Sequence, residues 1–267
     1  MQKKTASCKW SYWEKDVVGM QLNPDERIDQ LYSQDIKIIQ SPEVFAFSLD
    51  AVLLADFARL PARATSQTVD LCAGNGAVGL FMSHQTHGQI AEVEIQPRLA
   101  DMARRSIELN QLGDRLSVYE GDLADVTQWI PKDSVDVVTC NPPYFADLPD
   151  SQKNPNQYLA IARHEIATDL ATVVATTSGL LKMTGKAYFV HRPDRLGQLF
   201  QLFSENRLAP KKVRLVYPKP HKEANMVLVE AIKDGKTGGL RFMEPLTVYD
   251  AQGHYTPEVE VLLYGRA

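Results

Sequence analysis

The sequence predicts an α/β fold: a seven-stranded, mostly parallel sheet with helices on both faces and an antiparallel last strand. Three observations lead there. From about residue 67, apolar runs of strand length alternate with stretches of helical periodicity, the pattern of βαβ units. A glycine-rich turn, Gly74-Asn-Gly-Ala-Val-Gly79, follows the first such run and opens a helix. The last two runs, 213–218 and 226–232, are separated by 219–225 alone. That is too short for a crossover helix, so the two form a hairpin with an antiparallel strand at the sheet edge.

Taken in order, residues 1–35 are polar and mixed, with Trp10, Tyr12 and Trp13 near the start, and read as an extension. Residues 36–40 and 44–47 read as a short antiparallel pair around Ser41-Pro42-Glu43. Ser48 is placed to cap a helix over 49–60 that Pro61 ends. The regular alternation then gives strands at 68–72, 89–95, 116–119, 135–140 and 186–191, before the closing hairpin. Helices fall at 77–83, 98–111, 167–181 and 195–206. These divide the chain into an N-terminal extension with its strand pair (1–47), a main domain (48–235) and a tail packed on it (236–267).

Composition narrows the class. With 44% hydrophobic and 23% charged residues in 267, the chain carries enough apolar material for a sizeable core. No run of 18 apolar residues exists to span a membrane, and no apolar segment follows the N-terminal Met-Gln-Lys-Lys, so a cytoplasmic protein is expected. The three cysteines, Cys8, Cys72 and Cys140, are far apart and odd in number, which argues against a disulfide framework or a metal site. The net charge of −4 hides an asymmetry. Between residues 182 and 222 stand ten lysines and arginines against two acids, a segment of +8 that predicts either a basic face or solvated flanks of strands.

Asn141-Pro142-Pro143-Tyr144 follows the buried run 135–140. Two prolines cannot continue a sheet ladder, so the chain leaves the strand in a fixed turn. That turn presents an amide side chain, a proline carbonyl and an aromatic ring. The Asn141 oxygen and the Pro142 carbonyl can each accept one hydrogen of a planar NH2 group while Tyr144 stacks on its face. The competing explanation is a proline turn plugged by an aromatic ring.

Upstream, Asp70-Leu-Cys-Ala-Gly74-Asn75-Gly76 suits a nucleotide-type cofactor, since glycines let a ligand approach the backbone. Glu94, 18 residues beyond Gly76, is placed to take both ribose hydroxyls. A dinucleotide and S-adenosylmethionine both fit these features. Asp70 favours the second, because it would meet a methionine ammonium and repel a pyrophosphate. Asp122, with Leu123, is placed to contact adenine, and a helix cap is the competing role for Asp122. Asp50 and Ser48 face the methionine end or merely cap their helix.

At these residues the sequence resembles the class I S-adenosylmethionine-dependent methyltransferases, whose fold is Rossmann-like. More narrowly it resembles the tRNA1(Val) adenine-37 N6-methyltransferase family, through 45–54, the glycine motif, 93–98, the Asn141 motif, Arg163-His164-Glu165, 191–195, 216–220 and 246–250. One departure is Cys72, where the superfamily usually has glycine. The resemblance implies a seven-stranded sheet with S-adenosyl-L-methionine at the carboxyl ends of its first strands, and N6-methylation of a tRNA adenine beside the anticodon. In that scheme Tyr144 and Phe145 stack on the base, and Arg192, Arg195, Lys211, Lys212, Arg214, Lys219 and Lys222 hold tRNA phosphates; Arg163 and His164 touch the substrate or merely end a surface helix, and the polar stretch 146–165 after the motif is a candidate lid. The same turn chemistry leaves a protein glutamine amide and a DNA adenine open as targets. A nicotinamide-dependent oxidoreductase and a catalytically idle RNA-binding module are the readings from other classes.

Overall fold

The computed structural model describes residues 20–44, 47–144, 156, 158 and 167–265. Phe145, Arg163, His164, the aromatic residues near the start and nearly all of the expected lid lie outside them.

The apolar runs become the centre of a sheet. Strand β3 (Gln67–Leu71) pairs in parallel with β4 (Gln89–Glu94) and β6 (Val135–Cys140). Strand β5 (Leu116–Glu120) extends one side in parallel, and β7 (Leu181–His191) extends the other. Strand β9 (Met226–Lys233) is antiparallel to both β7 and β8 (Leu208–Tyr217). The hairpin is as expected, but its antiparallel strand is not at the edge. β9 inserts between β7 and β8 because only an inner position buries a strand as apolar as Val227–Ile232 on both faces. To the expected seven strands the tail adds two short ones on the outer side of β8, β10 (Arg241–Phe242) and β11 (Leu246–Thr247). β7 also starts five residues earlier than expected. A register shift against β6, with Thr184 at φ 64°, lets the strand pass Gly185.

Helices cover both faces. One layer holds α1 (Leu49–Phe57) and α2 (Ala77–Met82), and α3 (Pro97–Leu109) packs along β4 and β5. The other holds α4 (Leu170–Leu180) and α5 (Leu196–Glu205), packed on Val138, Phe189 and Val229. Helix α6 (Pro257–Tyr264), from the tail, buries Val259 and Leu263 in the same core as α1.

The N-terminal strand pair is a correction. Ile36–Gln40 (β2) pairs with β1 (Arg27–Leu31), around the turn in which Asp35 takes φ 55°, while residues 45 and 46 of the partner expected at 44–47 lie outside the described residues. Periodicity missed β1 because it carries Asp29 and Gln30, both buried. Their polar atoms are matched in place: Arg27 and Gln40 donate to Asp29, and Gln30 to Asp35. The hairpin lies on α3, whose side chains complete its outer edge. Ile39 N–H donates to Ser106 Oγ at 2.9 Å, and Asn110 both accepts from Lys37 N–H and donates to its carbonyl.

Candidate functional site

The carboxyl ends of β3, β4, β5 and β6 open on one cavity of about 270 Å³, roofed by the start of α1 and by the Asn141 turn. A crevice there is expected, because the strand order reverses at β3 and the connections leave in opposite directions.

The glycine turn forms one wall. Gly74, at φ 60°, lines the cavity, and a Cβ added to it would meet nothing within 4 Å. Its N–H donates to Glu94 Oε2 at 2.8 Å, and Gln96 N–H donates to Oε1 at the same distance. Glu94 thus sits in the wall with its orientation fixed, its carboxyl raised above the ordinary range by burial and held back by those amides. Asn75 also lines the cavity, but its amide is committed to the Ile39 carbonyl at 3.0 Å, which ties the turn to the hairpin. Cys72 is accommodated at φ 58° and reaches the wall. Across from it, Asp122 accepts from Ala124 N–H at 2.9 Å and lines the cavity beside Leu123, so it caps and faces the ligand space at once.

Two expected cofactor residues are elsewhere. Asp70 is buried one pleat below the wall; its Oδ1 accepts from Thr139 Oγ1 at 2.6 Å, and burial pushes its carboxyl up to about 7. Gly76, at φ 81°, faces inward, where an added Cβ would lie 2.6 Å from Glu92 Oε2. Gly79 is tighter still, at 2.2 Å from Glu92 Oε1. Besides Glu94 and Asp122, the carboxylate that lines the cavity is not Asp70 but Asp50. It is 6% exposed, with Oδ1 accepting from Ser48 Oγ and from Ala51 N–H, and Oδ2 from Tyr144 Oη at 2.6 Å. Ser48 occupies the cap position of α1 but spends its hydroxyl on Asp50 and leaves the backbone uncapped.

Asn141, Pro142, Pro143 and Tyr144 all line the cavity, directly beyond the centre of the sheet. The Tyr144 ring lies 5.5 Å from that of His191, the last residue of β7, at an interplanar angle of 39°. His191, fully buried, accepts from Arg192 N–H through Nδ1 at 2.8 Å, and burial lowers its pKa to about 4. Sequence reasoning placed His191 at the end of its strand but missed its contact with Tyr144, for which periodicity has no signal.

Of the expected substrate-binding cations, Arg192 stands at the cavity side of β7, with Asp194 at 3.3 Å. Lys211, Lys212 and Arg214 do not join it. Lys212 pairs with Glu230 at 2.9 Å, Lys211 donates to the Gly238 carbonyl at 2.7 Å, and Arg214 bonds the Glu244 carbonyl at 3.0 Å and Glu258. Register sets Lys212 opposite Glu230, itself opposite Tyr188, three residues short of His191 and so about 10 Å below the rim. No group of metal-ligating side chains and no membrane-spanning helix occurs among the described residues.

Comparison with known proteins agrees with this architecture. The chain is 28% identical over 215 residues to a tRNA1(Val) (adenine(37)-N6)-methyltransferase of Porphyromonas gingivalis, covering 78% of this chain and 83% of that one. It is 28% identical to the protein of the same name from Shewanella loihica, over 80% and 89% of the two chains. Among solved structures it resembles an Agrobacterium tumefaciens protein described as a predicted O-methyltransferase, at 26% identity and a TM-score of 0.63, covering 82% and 97%. The geranyl diphosphate C-methyltransferase of Streptomyces coelicolor A3(2), solved with S-adenosyl-L-homocysteine, shares the fold at 14% identity and a TM-score of 0.51, over 69% and 77%. The profile of the methyltransferase small domain matches residues 35–190, the stretch that builds every wall of the cavity, and the chain belongs to that family.

Proposed function

We propose that this protein transfers a methyl group from S-adenosyl-L-methionine to the N6 amine of an adenine in tRNA, at the position beside the anticodon that its relatives' names specify. The observation that carries the reading is the Asn141-Pro142-Pro143-Tyr144 turn opening on a cavity whose other walls hold Glu94, Asp122 and Asp50. The donor set fits the cofactor. Gly74 leaves room against the backbone, Val93, Ile95 and Leu123 would supply apolar wall for adenine, and Glu94 would hold the ribose hydroxyls. Asp50, buried with no cation among its hydrogen-bond partners, takes over the role expected of Asp70 toward an ammonium group. When bound, the cofactor supplies an electrophilic methyl on a sulfonium.

The chain's own part is positioning. Adenine N6 is a weak nucleophile because its lone pair is delocalised into the ring. The Asn141 oxygen and the Pro142 carbonyl accept its two hydrogens, favour the tetrahedral nitrogen and aim its lone pair into the cavity. No strong base is required, and the surplus proton goes to water. Tyr144 stacks on the base, a contact worth about 1–3 kcal/mol. A base in a single-stranded loop reaches such a pocket at little unstacking cost. The tRNA backbone meets cations at the rim: Arg192 and Arg195 after β7, and Lys219 and Lys222 in the exposed 218–225 loop between β8 and β9.

Labelled S-adenosyl-L-methionine and unmodified bulk tRNA, followed by nucleoside mass spectrometry, test the reading. N6-methyladenosine that vanishes with Asn141→Ala, in a variant that still binds cofactor, is the expected result. A methylated protein amide or DNA adenine with untouched tRNA overturns the choice of substrate.

A further inference from the structure

A ring that stacks on a substrate base must be held in one orientation, and two prolines before Tyr144 fix only its backbone. Two elements far apart in sequence fix the rest. From the first turn of α1, Asp50 Oδ2 accepts the Tyr144 hydroxyl at 2.6 Å, a charge-assisted bond. Asp50 is itself immobilised, because Oδ1 is held by Ser48 and by the Ala51 amide. From the end of β7, the His191 ring packs on that of Tyr144, with centroids 5.5 Å apart and planes tilted by 39°. Its Nδ1 is turned to the Arg192 amide, it is fully buried, and burial keeps it neutral near pH 7, so it presents a flat uncharged plate and no base. Arg195 Nη1 touches the Tyr144 carbonyl at 3.5 Å from the same side of the sheet.

We infer that Asp50 and His191 are positioning residues for methyl transfer: Asp50 anchors the Tyr144 hydroxyl, His191 backs the ring, and together they hold it in one orientation at the cavity wall where the base stacks. This rests on the reading of the substrate as a planar aminated base. It gives Asp50 two duties in one place, since the carboxylate that faces the cofactor's ammonium also sets the ring that faces the base.

The test is a double-mutant cycle. Asp50→Ala and Tyr144→Phe should each lower kcat for tRNA on the order of 10–100-fold, and the double variant should be no worse than the poorer single one. Asp50→Asn, whose amide oxygen still accepts the hydroxyl, should recover a measurable part of the loss. Fluorescence of an RNA carrying 2-aminopurine at the target position supplies a readout independent of turnover: wild type quenches it, Asp50→Ala does not. His191→Leu, similar in bulk but not flat, should lose the quenching in a protein that still folds and binds cofactor. Additive losses, or Asp50→Asn as poor as Asp50→Ala with cofactor affinity falling in step by calorimetry, would overturn the positioning role and leave Asp50 to the cofactor alone. Should wild type methylate no nucleic acid, the substrate reading fails on its own. The same cycle run on urea unfolding of the free protein then decides whether Asp50 holds Tyr144, and no coupling there also ends the proposal.

Discussion

Asp70, Glu92 and Thr139 stand side by side across β6, β3 and β4, because register pairs Asp70 with both of the others. They form a polar row under α2 in an otherwise apolar face. Burial drives both carboxyls toward the neutral form, Asp70 to about 7 and Glu92 well above its usual range. A raised folded pKa means that the unfolded chain ionises first. The stability that depends on neutral Asp70 is therefore whole below about pH 4 and is lost as pH rises through 7. Asp70→Asn keeps the acceptor for Thr139 and should gain on wild type as pH goes from 5 to 8, read as urea midpoints at each pH. The row also explains the spacing of the glycines. In G-x-G-x-x-G only Gly74 faces ligand space; Gly76 and Gly79 are small because Glu92 lies under them. Gly79→Ala should cost about 1–3 kcal/mol through overpacking, and a shift in unfolding midpoint that disappears in a Glu92→Ala background would confirm the clash. The glycine motif and Asn141 were legible in sequence because a tight turn and a double proline leave a local mark. That Asp50 reaches the cavity and Asp70 does not was only half legible: Asp50 was offered as one of two roles, and which acid reaches a cavity depends on strand depth and on a helix that enters from elsewhere.

At the scale of elements, the strands that were legible are those with a short apolar stretch set between turn residues, from β6, buried along its length, to the half-exposed β5. β1 was not, because its buried Asp29 and Gln30 are matched by Arg27, Gln40 and Asp35 and mimic a loop in composition. The two-residue strands β10 and β11 are pairings made by the tail, with no period to detect. The hairpin's attachment to α3 rests on few bonds, and Ile39 N–H, fully buried, has Ser106 Oγ as its partner. Ser106→Ala should cost about 1–3 kcal/mol, the penalty of an orphaned buried donor, measurable by urea unfolding. A loss within a few tenths of a kcal/mol would mean that the edge re-pairs with water.

For the whole molecule, the asymmetry of charge proves to be two populations. Lys182, Arg207, Lys212 and Arg214 close ion pairs with Asp136, Asp234, Glu230 and Glu258, and so fasten strands and tail to one another. Lys219 and Lys222 stand exposed at the end of the sheet that carries the cavity. Replacing Lys219 and Lys222 with Glu should weaken tRNA binding and flatten the salt dependence of log K by about one unit of slope per lost phosphate contact. Lys211→Ala should leave that slope alone, and equal effects from both changes would undo the division.

Two hydrogen bonds from Ser33 close the molecule on itself, one of them from its N–H to the Leu263 carbonyl at 3.2 Å. Ser33, in the turn of the β1–β2 hairpin, donates its hydroxyl to the Leu262 carbonyl across 229 residues of sequence, while Leu263 takes its place in the core beside α1. During synthesis at about 5–20 residues per second, the hairpin turn waits roughly 10–50 seconds for that partner to be made. The tail helix is therefore the last neighbour that α1 acquires, after α2, β7 and β9. The residues that line the cavity, all between 47 and 168, and the partners of Tyr144 are made long before Leu263, so the tail's bonds are the last ties to form and close over walls already synthesised.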